Sequence, residues 1–132
     1  MQRGALVIEN EYDIVMARKA VRSASVECGF QLANVTRIVT AASELSRNIV
    51  LYAGSGIMTW GEVEGDPKGL EIVFTDHGPG IADLEQALRP GYTSGKGLGM
   101  GLPGSKRLMD EFRIESTVGD GTVVTIRKWL RA

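Results

Sequence analysis

The sequence predicts an α/β two-layer sandwich of the α+β kind, with helices packed on one face of a mixed, mostly antiparallel sheet. Three observations carry that expectation. Two consecutive stretches repeat apolar residues at alternating steps of three and four, the pattern of amphipathic helices. Around them lie short apolar runs bounded by Gly, Pro, Asn and Asp, which read as strands and hairpins. The third observation is glycine: 17 of the 132 residues are Gly, where about 7% is usual. Eight of the 17 fall between Gly78 and Gly104, and such clustering marks a backbone shaped to approach something closely.

Ala5 to Glu9 is a short apolar run that reads as the first strand, and Asn10 stops it before a helix. Ile14, Ala17, Val21, Ala24 and Cys28 then share one helical face, and Gly29 stands where a C′ glycine ends a helix. Asn34 is a candidate cap for a second helix with the stripe Val35, Ile38, Ala42, Leu45 and Ile49. Beyond Gly54-Ser55-Gly56, Ile57 to Glu64 and Leu70 to Thr75 read as strands joined by Gly65-Asp66-Pro67-Lys68-Gly69. Asp76-His77-Gly78-Pro79-Gly80 breaks the second of them, and Ile81 to Leu88 suits a short helix. Residues 90–99 hold four glycines, which predicts a mobile loop. Met100 to Met109 starts a third long helix, and Phe112 to Thr117 and Thr122 to Trp129 form two strands across Val118-Gly119-Asp120-Gly121. The expectation is one domain over residues 1–132.

Composition removes several classes. Fifteen Lys and Arg against sixteen Asp and Glu leave a net charge of −1, so no global positive field holds nucleic acid or an anionic membrane. The single cysteine, Cys28, cannot form an internal disulfide, and one histidine leaves no Cys/His cluster for structural zinc. The apolar stretch before Glu9-Asn10-Glu11 is too short for a secretory leader, and no apolar run approaches the roughly 18 residues of a membrane span. A cytoplasmic protein, neither exported nor membrane-bound, is expected.

Four constellations can carry chemistry. Glu44 and Asn48 are one turn apart, with side chains about 40° apart around the helix axis. They sit at the edge of the apolar stripe, a position that lines a cleft. An Asn carbonyl oxygen is a competent Mg²⁺ ligand, and a Glu beside it can take a proton from a nucleophile. The second constellation is Asp76-His77-Gly78-Pro79-Gly80, where a carboxylate at a strand end can accept an amine hydrogen bond and two glycines leave room for a flat ring. His77 has no Ser, Cys or metal-ligand set placed for it and fits a turn. The third is the Gly-rich run from Thr93 to Gly104. It fails as a P-loop, because three residues separate Gly91 from Gly95 and Gly97 follows Lys96. Gly99-Met100-Gly101-Leu102-Pro103-Gly104 fails as a dinucleotide fingerprint, because a loop rather than a strand precedes it. What remains is exposed backbone N–H groups near a helix start, which favour phosphate, with Lys96 adding a charge. The fourth is Gly119-Asp120-Gly121-Thr122, a hairpin turn on its own terms.

Their order is more specific than any one of them. Glu44-x-x-x-Asn48, Asp76-x-Gly78-x-Gly80, Gly97-x-Gly99-x-Gly101 and Gly119-x-Gly121-Thr122 resemble the N, G1, G2 and GT boxes of the GHKL ATPase superfamily, across nearly the whole chain. The resemblance implies a Bergerat fold holding Mg-ATP between the helices and a Gly-rich lid. It implies Glu44 as general base and Asn48 as Mg²⁺ ligand. Asp76 would bind the adenine amine, Gly78 and Gly80 would admit the base, and Thr122 would support Asp76 or its water. Gly97, Leu98, Gly99, Met100, Gly101 and Leu102 would line the phosphates, with Thr93, Ser94 and Lys96 in the lid.

Within the superfamily, 132 residues leave no room for a histidine kinase's dimerising domain or a gyrase-type transducer, so a stand-alone switch kinase is expected. The runs Ser43 to Gly54 and Gly97 to Asp110 resemble the RsbT-like stressosome kinases more than the anti-sigma kinases of the RsbW and SpoIIAB type. The latter usually carry a His-Ala-Tyr-like run where Leu51-Tyr52-Ala53 stands here. The implied activity is Mg-ATP-dependent serine/threonine phosphorylation of a STAS-domain antagonist (RsbS-like) of the stressosome, followed by activation of a PP2C-type phosphatase (RsbU-like). The alternatives are an anti-sigma factor kinase that binds a sigma factor, and a non-catalytic module in which ATP only gates association.

Overall fold

The computed structural model describes residues 3–89 and 101–131. Strand β1 (Arg3–Ile8) leads into α1 (Glu11–Cys28). The extended Asn10 caps α1, its side-chain oxygen accepting the Asp13 N–H at 3.0 Å, which satisfies one of the orphan donors of the first turn. At the far end Gly29 is left-handed with φ 110°. The N–H groups of Gly29 and Phe30 turn back to the carbonyls of Val26 and Ser25, both at 3.1 Å, closing the helix.

Helix α2 (Leu32–Asn48) begins before Asn34 and corrects the expected cap. The Val35 N–H already reaches the Gln31 carbonyl at 2.9 Å, so Gln31 holds the capping position and Asn34 lies inside the first turn. There the Asn34 Oδ1 accepts from Arg37 Nη1 at 2.8 Å. The stripe itself is as expected: Val35, Ile38, Ala42, Leu45 and Ile49 are all buried, as are Ile14, Ala17, Val21 and Cys28 of α1. A feature without a sequence signal follows. Instead of stopping, α2 passes into a π-helical turn, Ile49–Ala53, closed by the Gly54 N–H on the Ile49 carbonyl at 2.8 Å. Such turns are wound one residue wider than an α-helix.

The remaining strands are β2 (Gly56–Val63), β3 (Gly69–Asp76), β4 (Glu111–Thr117) and β5 (Gly121–Trp129). Their order with the first strand is β1-β2-β3-β5-β4, and every described pairing is antiparallel. Alternation along the strands sends Met58, Leu70, Ile72, Phe74, Val124 and Ile126 into one buried cluster with the stripes of α1 and α2. Each large side chain buried there contributes about 1.5–3 kcal/mol. Cys28 belongs to this core. Its thiol faces the Gly69 carbonyl at 3.7 Å, and burial, reinforced by the nearby Glu62 carboxylate, pushes its pKa above the ordinary 9.0.

The short helix expected over Ile81 to Leu88 contracts to the single turn α3 (Leu84–Ala87). The Ile81 N–H is taken by Ser116 Oγ at 2.7 Å, and Asp83 caps the turn by accepting the Gln86 N–H at 3.0 Å. Helix α4 (Gly101–Leu108) packs against α2. Pro103 sits in its first turn, where no N–H is needed, and Gly104 is buried. The Lys128 ammonium ties the other end to β5, donating to the Leu108 carbonyl at 2.9 Å and pairing with Asp110 at 3.6 Å.

Candidate functional site

Asp76 is the last residue of β3, paired across the sheet with Gly56 on one side and Thr122 on the other. Its Oδ1 accepts the Gly78 N–H at 2.9 Å and the Thr122 N–H at 3.3 Å. Among the described residues none donates to Oδ2. One carboxylate oxygen therefore fixes the side chain to the backbone.

The hairpin tip between β4 and β5 clamps the loop that follows Asp76. The Gly119 N–H donates to the Pro79 carbonyl at 2.9 Å, two residues before Ile81 meets Ser116. The Ser116 and Thr122 hydroxyls share a hydrogen bond of 2.7 Å. Thr122 donates its backbone N–H to Asp76, while its hydroxyl is engaged with Ser116. Ser116 is the residue that sequence reasoning missed. The alternation Phe112, Ile114, Ser116 places a hydroxyl on the core-facing side of β4, and the register opposite Thr122 is the signal that marks it. The glycines here also have internal reasons. Gly80 has φ 76°, and a Cβ on it would strike the Thr117 carbonyl; Gly121 has φ 124°, and a Cβ on it would strike the Asp76 carbonyl. Packing of the protein on itself therefore already requires glycine at Gly80, before any flat ring is considered.

Glu44 and Asn48 are half-buried on the last turns of α2. Among the described residues none hydrogen-bonds either side chain. Asn48 is the last α-helical residue before the π turn, and that turn touches the loop after Asp76: a Cβ on Gly78 would lie 2.6 Å from the Ala53 Cβ. The end of α2 and the Asp76 loop are thereby joined through the π turn. Gly101 opens α4 with φ 59°, and Leu102 is half-buried against the core. Thr93, Ser94, Lys96, Gly97, Leu98, Gly99 and Met100 lie outside the described residues.

A half-buried Glu and Asn on a helix, an anchored Asp at a strand end and a clamped glycine loop thus follow one another along the chain. Over residues 9–128 the chain matches the family described as histidine kinase-like ATPase domain. It belongs to that family and is an ATP-binding domain. Among curated proteins it is 48% identical over 125 residues to the serine/threonine-protein kinase RsbT of Bacillus subtilis (strain 168), covering 94% of each chain. It is 38% identical over 131 residues to the anti-sigma F factor of Pasteuria penetrans, covering 94% of this chain and 85% of that one. Among solved structures the fold matches the RsbU and RsbW domains of a Mycobacterium tuberculosis protein with a TM-score of 0.71 at 18% identity, over 100% of this chain and 34% of that one. The mycobacterial sensor histidine kinase MprB follows at 0.57 and 18% identity, over 97% of both chains. The described residues contain no helix long and apolar enough to cross a membrane.

Proposed function

We propose that this GHKL domain, a serine/threonine protein kinase, uses Mg-ATP to phosphorylate a STAS-domain antagonist of the RsbS type within a cytoplasmic partner-switching stress pathway. Released from that antagonist and its stressosome, it would then activate a PP2C-type phosphatase of the RsbU type. The observation that carries the nucleotide reading is the Asp76 carboxylate, with Oδ1 tied to two backbone N–H groups and Oδ2 without a described partner. A carboxylate held this way accepts the adenine amine and cannot rotate away from it. The 48% identity to a serine/threonine-protein kinase supports the phosphoryl-transfer reading.

The roles follow from residue type. Glu44 accepts the proton of the partner's serine or threonine hydroxyl and orients that oxygen for attack, a task for a carboxylate with no cation partner among the described residues. Asn48 offers a neutral carbonyl oxygen to Mg²⁺, which when bound neutralises charge on the transferring phosphate. Because that oxygen is neutral, Asn48 on its own would hold the metal weakly. Gly101 and the residues of the Gly-rich run before it supply backbone N–H groups to the phosphates, with Lys96 as a point charge, and Thr93 and Ser94 belong to the lid.

Titration calorimetry of ATP with Asp76→Asn tests the site. Loss of a hydrogen bond to a charged group costs about 1.5–3 kcal/mol, roughly a tenfold to hundredfold fall in affinity. Unchanged affinity refutes Asp76 as the adenine residue. A second reading, an anti-sigma factor kinase, is favoured by the 38% identity to an anti-sigma F factor. Labelled ATP offered together with STAS domains and sigma factors separates the two: transfer to the STAS domain without sigma binding supports the first, and a stable sigma complex supports the second.

A further inference from the structure

We infer that Ala53 is a positioning residue for nucleotide selectivity: the π turn after Asn48 is a spacer that sets Asp76 at a fixed distance from the N box. The inference rests on the reading of Asp76 as the adenine acceptor. Three contacts carry it. A Cβ on Gly78 would come within 2.6 Å of the Ala53 Cβ and 2.8 Å of its Cα, so the turn and the loop touch backbone to backbone. The Gly78 N–H is itself one of the two donors that hold Asp76 Oδ1, at 2.9 Å. On the other side, Gly56 lies opposite Asp76 in the β2–β3 register. A Cβ on Gly56 would lie 2.9 Å from Ile49 Cγ2, at the start of the same turn, and 2.6 Å from the Thr75 carbonyl. The turn is thus seated on the loop whose N–H anchors the carboxylate and on the strand that pairs with Asp76.

The winding matters because it sets reach. An α-helix continued from Asn48 would present residues every 100° or so around its axis, whereas the wider π turn changes where Ala53 points. The Gly54 N–H on the Ile49 carbonyl at 2.8 Å locks that winding. Only a very small side chain at Ala53 leaves the Gly78 backbone where its N–H still meets Asp76. Enlarging Ala53 pushes Gly78 away, leaves Oδ1 to the longer Thr122 N–H contact at 3.3 Å, and loosens the carboxylate's hold on the amine position. The chemical consequence is specific. The 6-amino group of adenine donates to a carboxylate, and the 6-oxo group of hypoxanthine presents an acceptor instead, so a fixed Asp76 favours ATP over inosine triphosphate.

The experiment measures ATP and inosine triphosphate affinities for the wild type, Ala53→Val, Ala53→Ser and Asp76→Asn, with thermal unfolding of each nucleotide-free protein as the fold control. Overpacking of a tight contact predicts about a tenfold or greater loss of ATP affinity in Ala53→Val, with little change for inosine triphosphate, so that the preference between them collapses. Ala53→Ser, one heavy atom larger, moves the preference in the same direction by a smaller factor, and decides the matter if the valine variant does not fold. Preserved preference in a folded Ala53 variant overturns the inference while Asp76→Asn still weakens ATP. If Asp76→Asn also leaves ATP affinity unchanged, the adenine reading itself is what has failed.

Discussion

Helices α1 and α2 share one apolar spacing and one core, yet they end in different ways. At α1, Gly29 turns left-handed at φ 110° and two N–H groups fold back to close the last turn. At α2 there is no such stop; the chain winds on from Asn48 into the π turn and rests on the loop that carries Asp76. The stripe decides where each helix lies, and the termination decides what it can do. A helix closed at both ends serves the core alone. A helix that winds on into a π turn closed by Gly54 rests its end on the loop after the anchored Asp76 carboxylate.

That contrast can be broken at several points. The largest effect is expected in the shared core. Ile38→Ala on α2 should lose about 2–5 kcal/mol, and Val21→Ala on α1 a similar or smaller amount, in equilibrium denaturation. Both should leave the ATP affinity of the folded fraction as it was, and a large loss of affinity in either would mean that stripe and site are not separable. Next comes Gly29→Ala, which forces a Cβ into the left-handed region and should cost about 1–2 kcal/mol of stability without touching nucleotide binding. Asn10→Ala removes the side-chain acceptor of the Asp13 N–H and should cost about 1 kcal/mol, again with binding unchanged.

The smallest effect is a slope. Burial holds the Cys28 thiol above its ordinary pKa of 9.0. As pH rises past that value the unfolded chain releases a proton that the folded protein keeps, so stability falls with rising pH until the folded thiol also titrates. Cys28→Ala should flatten that part of the alkaline stability curve, measured by denaturation at a series of pH values. An identical slope in both proteins would show that the thiol does not contribute.

Much of this contrast was legible in the amino acids. The 3-4 steps from Ile14 to Cys28 and from Val35 to Ile49 fall on buried residues, and Asn10 and Gly29 sit at the caps because their side chains, or the lack of one, solve a local problem of unpaired N–H groups and left-handed backbone. Of the four boxes, the Asp76 loop and the Gly119–Thr122 tip meet in the fold, while Gly97 and Gly99 lie outside the described residues. What escaped were features decided by tertiary contact. Asn34 has the chemistry of a cap, but the close of α1 hands the chain to Gln31 first. The π turn leaves no periodic trace, because it depends on Ala53 and Ile49 finding Gly78 and Gly56 across the fold. Ser116 became visible only when the antiparallel register set it against Thr122. Gly80 reads as room for a ligand, and its packing, like that of Gly121 in the hairpin turn, shows that the backbone needs that room as well.

Phosphoryl transfer from labelled ATP to candidate STAS domains by wild type and Glu44→Gln, with ATP affinity measured on the same preparations, decides whether the end of α2 that carries Glu44 is a catalytic site. Loss of a general base predicts transfer lowered about a hundredfold to ten-thousandfold with affinity retained. Transfer at the wild-type rate in Glu44→Gln would contradict it and leave α2 as the wall of an ATP-gated binding module.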